Sequence, residues 1–196
     1  MPAYPRTDVV ILAGGQARRM GGVNKLLQTF DQQDQLSKIV TAFASQVTQI
    51  WVNSHRDHAR YLQQFAQLRC YADDEAGFFG PLMGMKSAWS HVAADYVLFV
   101  PCDITVITPN ILAQLHQALA QHPSAEVAYV VINAQALYPF CLMKRSAFAR
   151  LNASLAQQQR RLKPCFDALH AVTVEIEHPQ LQFHSLNSVE ELEKYR

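Results

Sequence analysis

Long apolar runs are missing from this sequence. The most strongly apolar stretch, Tyr96–Cys102, is far shorter than the roughly 20 residues that a membrane-spanning helix needs. The segment Met1–Asp8 also lacks the apolar core of a secretory signal peptide. Neither sign of charge dominates, because 17 lysines and arginines nearly balance 16 aspartates and glutamates. We therefore expect a cytoplasmic protein that binds neither a membrane nor nucleic acid, and whose anionic ligands are small and held locally.

Cysteine is scarce as well, and its spacing indicates neither a disulfide framework nor a zinc site. The chain has no C-x-x-C pair and no histidine at zinc-ligand spacing from its cysteines, which are Cys70, Cys102, Cys141 and Cys165. We expect buried or half-buried thiols in a reducing compartment. Cys102 is expected to pack rather than to act as a nucleophile, because no base is recognisable near it. His55 and His58 begin a polar helix and are expected to be solvated.

Strands alternate with helices along the first half of the chain. Short β-branched and aliphatic runs predict buried strands at Asp8–Leu12, Gln49–Asn53, Leu68–Ala72 and Asp95–Val100. Because parallel strands need crossover connections, this alternation predicts a Rossmann-like three-layer α/β/α sandwich with a mainly parallel sheet. With 196 residues, 49% of them hydrophobic, the chain can form one domain over residues 1–196.

Capping residues and periodicity predict the remaining elements. Pro81 suits the first turn of a helix, and Thr108 is the expected N-cap of a helix that starts at Pro109 and runs to Gln121. A helix over His55–Gln67 should turn Tyr61, Leu62 and Phe65 inward. Further predictions are strands at Val127–Asn133, Leu137–Lys144 and Ala171–Glu177, a helix at Ser146–Gln159, and a last helix opening at Ser188.

One segment directly after the first strand combines glycines with cations. Leu12–Lys25 contains four of the seven glycines of the chain together with Arg18, Arg19 and Lys25. Glycines let consecutive backbone N–H groups point into a concavity, and the cations neutralise phosphate oxygens. The segment matches neither the dinucleotide fingerprint nor the Walker loop. We predict that it binds a nucleoside triphosphate; the alternative is a flexible loop whose basic residues are only solvated.

Two carboxylates follow strands that should end at the same edge of the sheet. Asp103 follows the most apolar strand, and Asp73 follows the third strand. Mg²⁺ binds through one or two carboxylates plus substrate phosphates, so Asp103 is the candidate metal ligand, opposite Lys25. The alternatives are a turn or capping role for Asp103 and a solvated turn for Asp73.

Three motifs together resemble one known family. The chain is similar to the molybdenum cofactor guanylyltransferases, the MobA family of the nucleotidyltransferase superfamily, in L-A-G-G-Q-A-R-R-M-G-G-V-N-K from Leu12, G-P-L-M-G from Gly80 and P-C-D from Pro101. The similarity covers nearly the whole chain, including N-S-V-E-E-L from Asn187. It implies a Mg²⁺-dependent enzyme that transfers GMP from GTP to the terminal phosphate of molybdopterin cofactor. The products would be the guanine dinucleotide cofactor and pyrophosphate.

The resemblance also implies roles for individual residues. Those implied at the nucleotide are Leu12, Ala13, Gly14, Gly15, Lys25, Asn53, Asp73 and Asp103, with Asn53 and Asp73 on the guanine and ribose side. Asp103 would bind Mg²⁺, and Arg19 and Lys25 would act with it on the phosphates as catalytic residues. The C-terminal part would bind the acceptor, with the candidates Gly80, Arg160, Arg161 and Asn187, although surface solvation is the alternative for the arginines. Partners would be the two substrates and, transiently, cofactor-biosynthesis enzymes and target molybdoenzymes.

The chain departs from the family pattern at three points. Asn24 stands where aspartate is common, Tyr138-Pro139 replaces a common His-Pro, and the approach to Arg160 lacks the usual glycine. If Asn24 only removes a charge near the cation, Asn24→Asp should leave activity unchanged or raise it. Other interpretations are a cytidylyltransferase, a sugar-phosphate nucleotidyltransferase, or a nucleotide-binding module without turnover. Gly14-Gly15 favours guanine, because those relatives tend to carry Ala-Ala-Gly there.

Overall fold

The computed structural model describes residues 4–15, 24–30, 33–75, 80–179 and 181. The strands are β1 (Thr7–Leu12), β2 (Thr29–Phe30), β3 (Gln33–Asp34), β4 (Ile50–Asn53), β5 (Arg69–Tyr71), β6 (Tyr96–Pro101), β7 (Val127–Ile132), β8 (Gln135–Lys144) and β9 (Val172–Ile176). The helices are α1 (Gln35–Phe43), α2 (His58–Gln64), α3 (Pro81–Ala88), α4 (Ile111–Gln121), α5 (Phe148–Ala156) and α6 (Leu162–Ala168). Short 3₁₀ turns cover Lys25–Leu27 and Arg145–Ala147.

Within the described residues, seven strands form one sheet in the order β5-β4-β1-β6-β8-β7-β9. The pairs β1 with β4, β1 with β6, β4 with β5 and β7 with β9 are parallel. β8 runs antiparallel to both β6 and β7, while β2 and β3 pair separately. The predicted mainly parallel sheet is therefore confirmed.

The residues of β1 show why the sheet has a helical layer on each face. Successive side chains of a strand point to opposite faces. Val9 and Ile11 pack into a core that includes residues of α1, α2 and α4. Val10 and Leu12 pack into a second core that includes residues of α3, α5 and α6. This burial on both faces explains the continuous apolar run and confirms the three-layer sandwich.

The end of β1 lies at the point where the strand order reverses. β4 lies on one side of β1 and β6 on the other, and Leu12 is in register with both Asn53 and Pro101. Ala13 N donates to Asn53 O at 2.9 Å, and Cys102 N donates to Leu12 O at 3.2 Å. The chain segments that follow these strands therefore leave the sheet side by side, at the position where open α/β sheets bind ligands.

Several helix predictions need correction. Thr108 is not the N-cap and Pro109 is not helical, because α4 begins at Ile111 after Asn110, whose φ of 63° is a left-handed conformation that asparagine tolerates. The predicted helix at His55–Gln67 is shorter, and Leu62 is 39% exposed rather than inward. The predicted helix at Ser146–Gln159 divides into a 3₁₀ turn and α5. Pro81 does begin α3, whereas α6 was not predicted and the segment from Ser188 lies outside the described residues.

The cysteines are free thiols: Cys141 and Cys165 are buried, and Cys70 and Cys102 are half-buried. None of the helices in the described part of the chain is long and apolar enough to cross a membrane.

A buried histidine next to β1 predicts a pH dependence of stability. Thr7 Oγ1 donates to Pro5 O at 2.8 Å, so it accepts from His116 Nε2, also at 2.8 Å, and the imidazole stacks on Tyr4. Burial lowers the pKa of His116 to about 4. The unfolded chain therefore binds a proton at higher pH than the folded chain, and stability falls as the pH drops from about 6.5 towards 4.

We expect the free energy of unfolding to fall by about 2–3 kcal/mol from this histidine between pH 7 and pH 4.5. Urea titrations of the wild type and His116→Gln at both pH values measure this contribution. The variant should lose less stability over that interval, whatever its stability at pH 7. Equal losses in the two proteins would show that His116 is not the group responsible.

Candidate functional site

A cavity of about 350 Å³ opens at the carboxyl ends of β1, β4 and β6. Its walls include nine of the candidates from the sequence: Leu12, Ala13, Gly14, Gly15, Lys25, Asn53, Asp73, Gly80 and Asp103. Arg160 and Arg161 line a neighbouring cavity instead. Arg19 and Asn187 lie outside the described residues. The fold therefore brings together the segments after the first strand, the third strand and the most apolar strand.

Lys25 and Asp103 form an ion pair on the wall of this cavity. Lys25 Nζ lies 2.9 Å from Asp103 Oδ2, and the two side chains are only 16% and 20% exposed. Lys25 comes from the 3₁₀ turn that follows the glycine-rich segment, whereas Asp103 follows β6. The contact places a cation and an anion at one point of the wall, where they can meet phosphate oxygens and a divalent cation, respectively.

A second polar network connects Asn53, Asp73 and His55. Asn53 Nδ2 donates to Asp73 Oδ1 at 2.9 Å, and His55 Nε2 lies 3.2 Å from Asp73 Oδ2. Asn53 is buried, and the Asp73 side chain is 6% exposed, so this carboxylate is held on both oxygens. His55 is an exposed residue, as expected, but its imidazole also contacts Asp73 beside the cavity, which was not predicted. Its position two residues after Asn53, at the end of a parallel strand, is the signal that could have identified it.

Glycines allow the backbone to approach Asn53 closely on two sides. A Cβ atom on Gly14 would lie 3.1 Å from Asn53 Oδ1. A Cβ atom on Gly84, inside α3, would overlap the same oxygen and lie 3.1 Å from Leu12 Cδ2. Tyr71 Oη donates to Gly84 O at 2.9 Å and holds α3 in this position. Asn53 is thus clamped between the loop after β1 and α3, a role of Gly84 that was not predicted.

Gly80 contributes backbone conformation rather than a side chain. It precedes α3 with φ 79° and ψ −171°, a combination that only glycine adopts readily, and Pro81 follows at the first helical position. Pro81 lines both cavities. The G-P pair therefore shapes the passage between them.

The thiol of Cys102 remains protonated. Its burial, followed by the charge of Asp103, raises the pKa of this thiol to about 12, although the nearby Lys25 opposes the shift. A protonated thiol is a weak nucleophile. The structure thus agrees with a packing role for Cys102.

A second cavity, of about 480 Å³, adjoins the first. Asp103, Pro81, Pro101 and Pro139 line both cavities. The lining of the second cavity also includes three cationic side chains and an aromatic ring: Arg160, Arg161, Lys163 and Tyr138. Arg160 and Arg161 are exposed side chains on an open wall. Asp103 therefore stands between two spaces, each of which has its own cations.

Asn24 lines the first cavity beside Lys25, but its side chain has partners that its position in the loop did not predict. Its Nδ2 donates to Asp57 Oδ2 at 2.6 Å and to Tyr61 Oη at 2.8 Å. The side chain of Asn24 therefore binds the carboxylate of Asp57, so its effect is not limited to removing a negative charge from the phosphate loop. This removes the basis for expecting Asn24→Asp to leave activity unchanged, because the new carboxylate would face Asp57.

The sheet, its crevice and the cavity define a nucleotide-binding α/β protein, and comparison with known families agrees. Residues 9–173 match the family described as the MobA-like NTP transferase domain. The chain therefore belongs to the MobA-like NTP transferase family and is a nucleotidyltransferase.

Individual relatives carry a more particular name. The molybdenum cofactor guanylyltransferase of Acinetobacter baumannii is 55% identical over 193 residues, which cover 98% of this chain and 92% of that protein. The enzyme of the same name from Pasteurella multocida is 36% identical, over 95% of this chain and 97% of its own. The crystal structure of molybdopterin-guanine dinucleotide biosynthesis protein A from Archaeoglobus fulgidus has the same fold, with a TM-score of 0.73, 16% identity and coverage of 96% of each chain.

Proposed function

We propose that this protein transfers GMP from GTP to the terminal phosphate of molybdopterin cofactor, forming the guanine dinucleotide cofactor and releasing pyrophosphate. The observation that carries the proposal is the position of Asp103, paired with Lys25, on the wall common to two cavities. A transferase needs its donor and its acceptor to meet at one such point. The names of the relatives supply the identity of the two substrates.

The first cavity would hold GTP. The backbone of Leu12–Gly15 borders it without bulky side chains at Gly14 and Gly15, and Lys25 supplies positive charge for the phosphates. Asp73, oriented by Asn53 and His55, would accept hydrogen bonds from the guanine or ribose side. Arg19 is proposed to add charge at the phosphates.

The residues around Asp103 suit Mg²⁺. A single carboxylate beside a phosphate-binding loop matches the preference of this cation for one or two carboxylates together with substrate phosphates. When bound, Mg²⁺ would neutralise charge that develops on the phosphates. Asp103 would hold it, and Lys25 would keep the carboxylate oriented through the 2.9 Å contact.

The second cavity would hold the acceptor. Arg160 and Arg161, with Asn187 as a further candidate, would position its terminal phosphate towards Asp103. Gly80, the other acceptor candidate, lines the first cavity and would contact the acceptor only from that side. An oxygen of that phosphate attacks the α-phosphorus in line, the bond to the β-phosphate oxygen breaks, and pyrophosphate leaves. Such transfer requires positioning and charge neutralisation rather than a protein nucleophile, which agrees with the protonated Cys102.

A panel of nucleoside triphosphates tests the proposed reaction. With Mg²⁺ and molybdopterin cofactor, we expect pyrophosphate release with GTP and little with CTP, ATP or UTP. Preference for CTP would identify a cytidylyltransferase, and release with a sugar phosphate in place of the cofactor would identify the sugar-phosphate alternative. Tight GTP binding without any release would identify a module that binds nucleotide without turnover.

The arginines provide a test of the acceptor side. Truncating a side chain that donates to a phosphate costs about 1.5–3 kcal/mol, so Arg160→Ala and Arg161→Ala should each raise the KM for the cofactor about 10–100-fold. The KM for GTP should not change. Arg150→Ala is the matched control, because Arg150 pairs with Glu126 and lines neither cavity. An unchanged KM for the cofactor in both variants would indicate that these arginines are only solvated.

A further inference from the structure

Asn24 and Asp57 form a hydrogen-bonded pair next to Lys25. We propose that this pair positions the Lys25 ammonium at the phosphates and is required for productive GTP binding. The inference rests on the proposed function, because it assigns to these two residues a role in the same nucleotide cavity.

The side chain of Asn24 is engaged at each of its polar atoms. The two N–H groups of Nδ2 reach Asp57 Oδ2 at 2.6 Å and Tyr61 Oη at 2.8 Å. Oδ1 accepts from Leu26 N at 3.1 Å and so caps the 3₁₀ turn that carries Lys25. A side-chain amide can donate and accept at once, which is why it can join the turn to a carboxylate.

The anchor on the other side of the pair is a buried tyrosine next to a half-buried aspartate. Tyr61 is 1% exposed within the core, and burial raises the pKa of its phenol, which remains protonated. Asp57 has φ 61° and makes no side-chain hydrogen bond to cap α2, the helix that it precedes. Its carboxylate faces Asn24 instead, with Arg56 Nε at 3.9 Å and Arg60 Nη1 at 3.8 Å. A left-handed conformation at a residue other than glycine is retained where surrounding contacts hold it.

Lys25 lies between this anchor and the reacting centre. It follows Asn24 directly, and its Nζ contacts Asp103 at 2.9 Å. The hydrogen bonds therefore connect the turn after β4, through Asn24 and Lys25, to the carboxylate after β6. Leu26 is buried and keeps the 3₁₀ turn on the core, so breaking the pair removes only the side-chain link at its start. Without that link, we expect the Lys25 ammonium to lose its fixed distance from both Asp103 and the phosphates.

Exchanging the two side chains tests the pair. Asn24→Asp places two carboxylates against each other while keeping an acceptor for Leu26 N, and we expect the KM for GTP to rise about 10–100-fold. The KM for the cofactor should stay within about threefold. Adding Asp57→Asn restores one donor and one acceptor in reversed order, so Asn24→Asp/Asp57→Asn should return to within about threefold of the wild type. Gln114→Glu, on an exposed position of α4 that lines neither cavity, is the control for the added charge.

Two results on GTP binding would contradict the role of the Asn24–Asp57 pair. Wild-type GTP binding by Asn24→Asp, or a loss that Asp57→Asn does not repair, would overturn the proposal. A crystal structure of Asn24→Asp gives a second measurement, in which we expect the Lys25–Asp103 contact to be lost; its retention would also overturn the proposal. If the wild type itself binds no GTP, the proposed function fails. The crystal structure of Asn24→Asp would then still show whether the pair positions Lys25.

Discussion

Replacing Asp103 by asparagine is expected to lower kcat by about a thousandfold while the protein still folds. Asparagine keeps the volume of the side chain and can accept from Lys25, but it removes the negative charge proposed to bind the cation. Because both partners of the pair are partly exposed, the loss of stability should be about 1 kcal/mol or less, which corresponds to about 2–4 °C in Tm at most. The expected result is therefore a folded protein that binds GTP with little turnover.

Pyrophosphate release with GTP, Mg²⁺ and molybdopterin cofactor measures this effect, and calorimetric melting checks the fold. Asp95→Asn is a matched control, because Asp95 is an exposed aspartate at the other end of the same strand, next to Tyr96. Its turnover should equal that of the wild type. Near-normal release by Asp103→Asn would contradict a metal-binding role and would favour a turn role for this residue.

Gly84→Ala is expected to destabilise the protein, although glycine-to-alanine changes inside helices usually stabilise by about 1 kcal/mol. The added Cβ atom would overlap Asn53 Oδ1 and approach Leu12 Cδ2 to 3.1 Å. Overpacking of this kind costs about 1–3 kcal/mol, which corresponds to a decrease in Tm of roughly 2–10 °C. Because Asn53 also holds Asp73, we expect GTP affinity to fall by about tenfold or more.

Two further variants show whether the clamp on Asn53 is the cause. Gly15→Ala should melt like the wild type, because no described atom lies within 4 Å of its added Cβ. Its GTP affinity should nevertheless fall if phosphates approach that backbone, so it separates binding from stability. Asn53→Ala/Gly84→Ala removes the obstructing side chain and should recover part of the lost Tm. A Gly84→Ala protein with unchanged Tm and GTP affinity would show that α3 shifts freely.

Much of the fold and part of the candidate site could be predicted from local patterns. The apolar runs of β1 and β6 are buried on both faces, so they are recognisable as strands without further context. Parallel strands bring their carboxyl ends to one edge, which is why Asp103 and Lys25 could be placed at one cavity before their 2.9 Å contact was known. Helix boundaries were harder, because the start of α4 depends on the left-handed Asn110.

The sequence by itself determined the sheet, the edge at which its strands end, and the class of residues gathered there, because alternation, glycines and strand-end carboxylates are local signals. Only the tertiary structure decided which side chains hold those residues in place. Asn24 meets Asp57, His55 meets Asp73, and Gly84 lies against Asn53. Asn24 and Asp57 are 33 residues apart in the sequence, and His55 and Asp73 are 18 residues apart. Such contacts arise when whole helices and strands pack together, so a local sequence pattern does not record them.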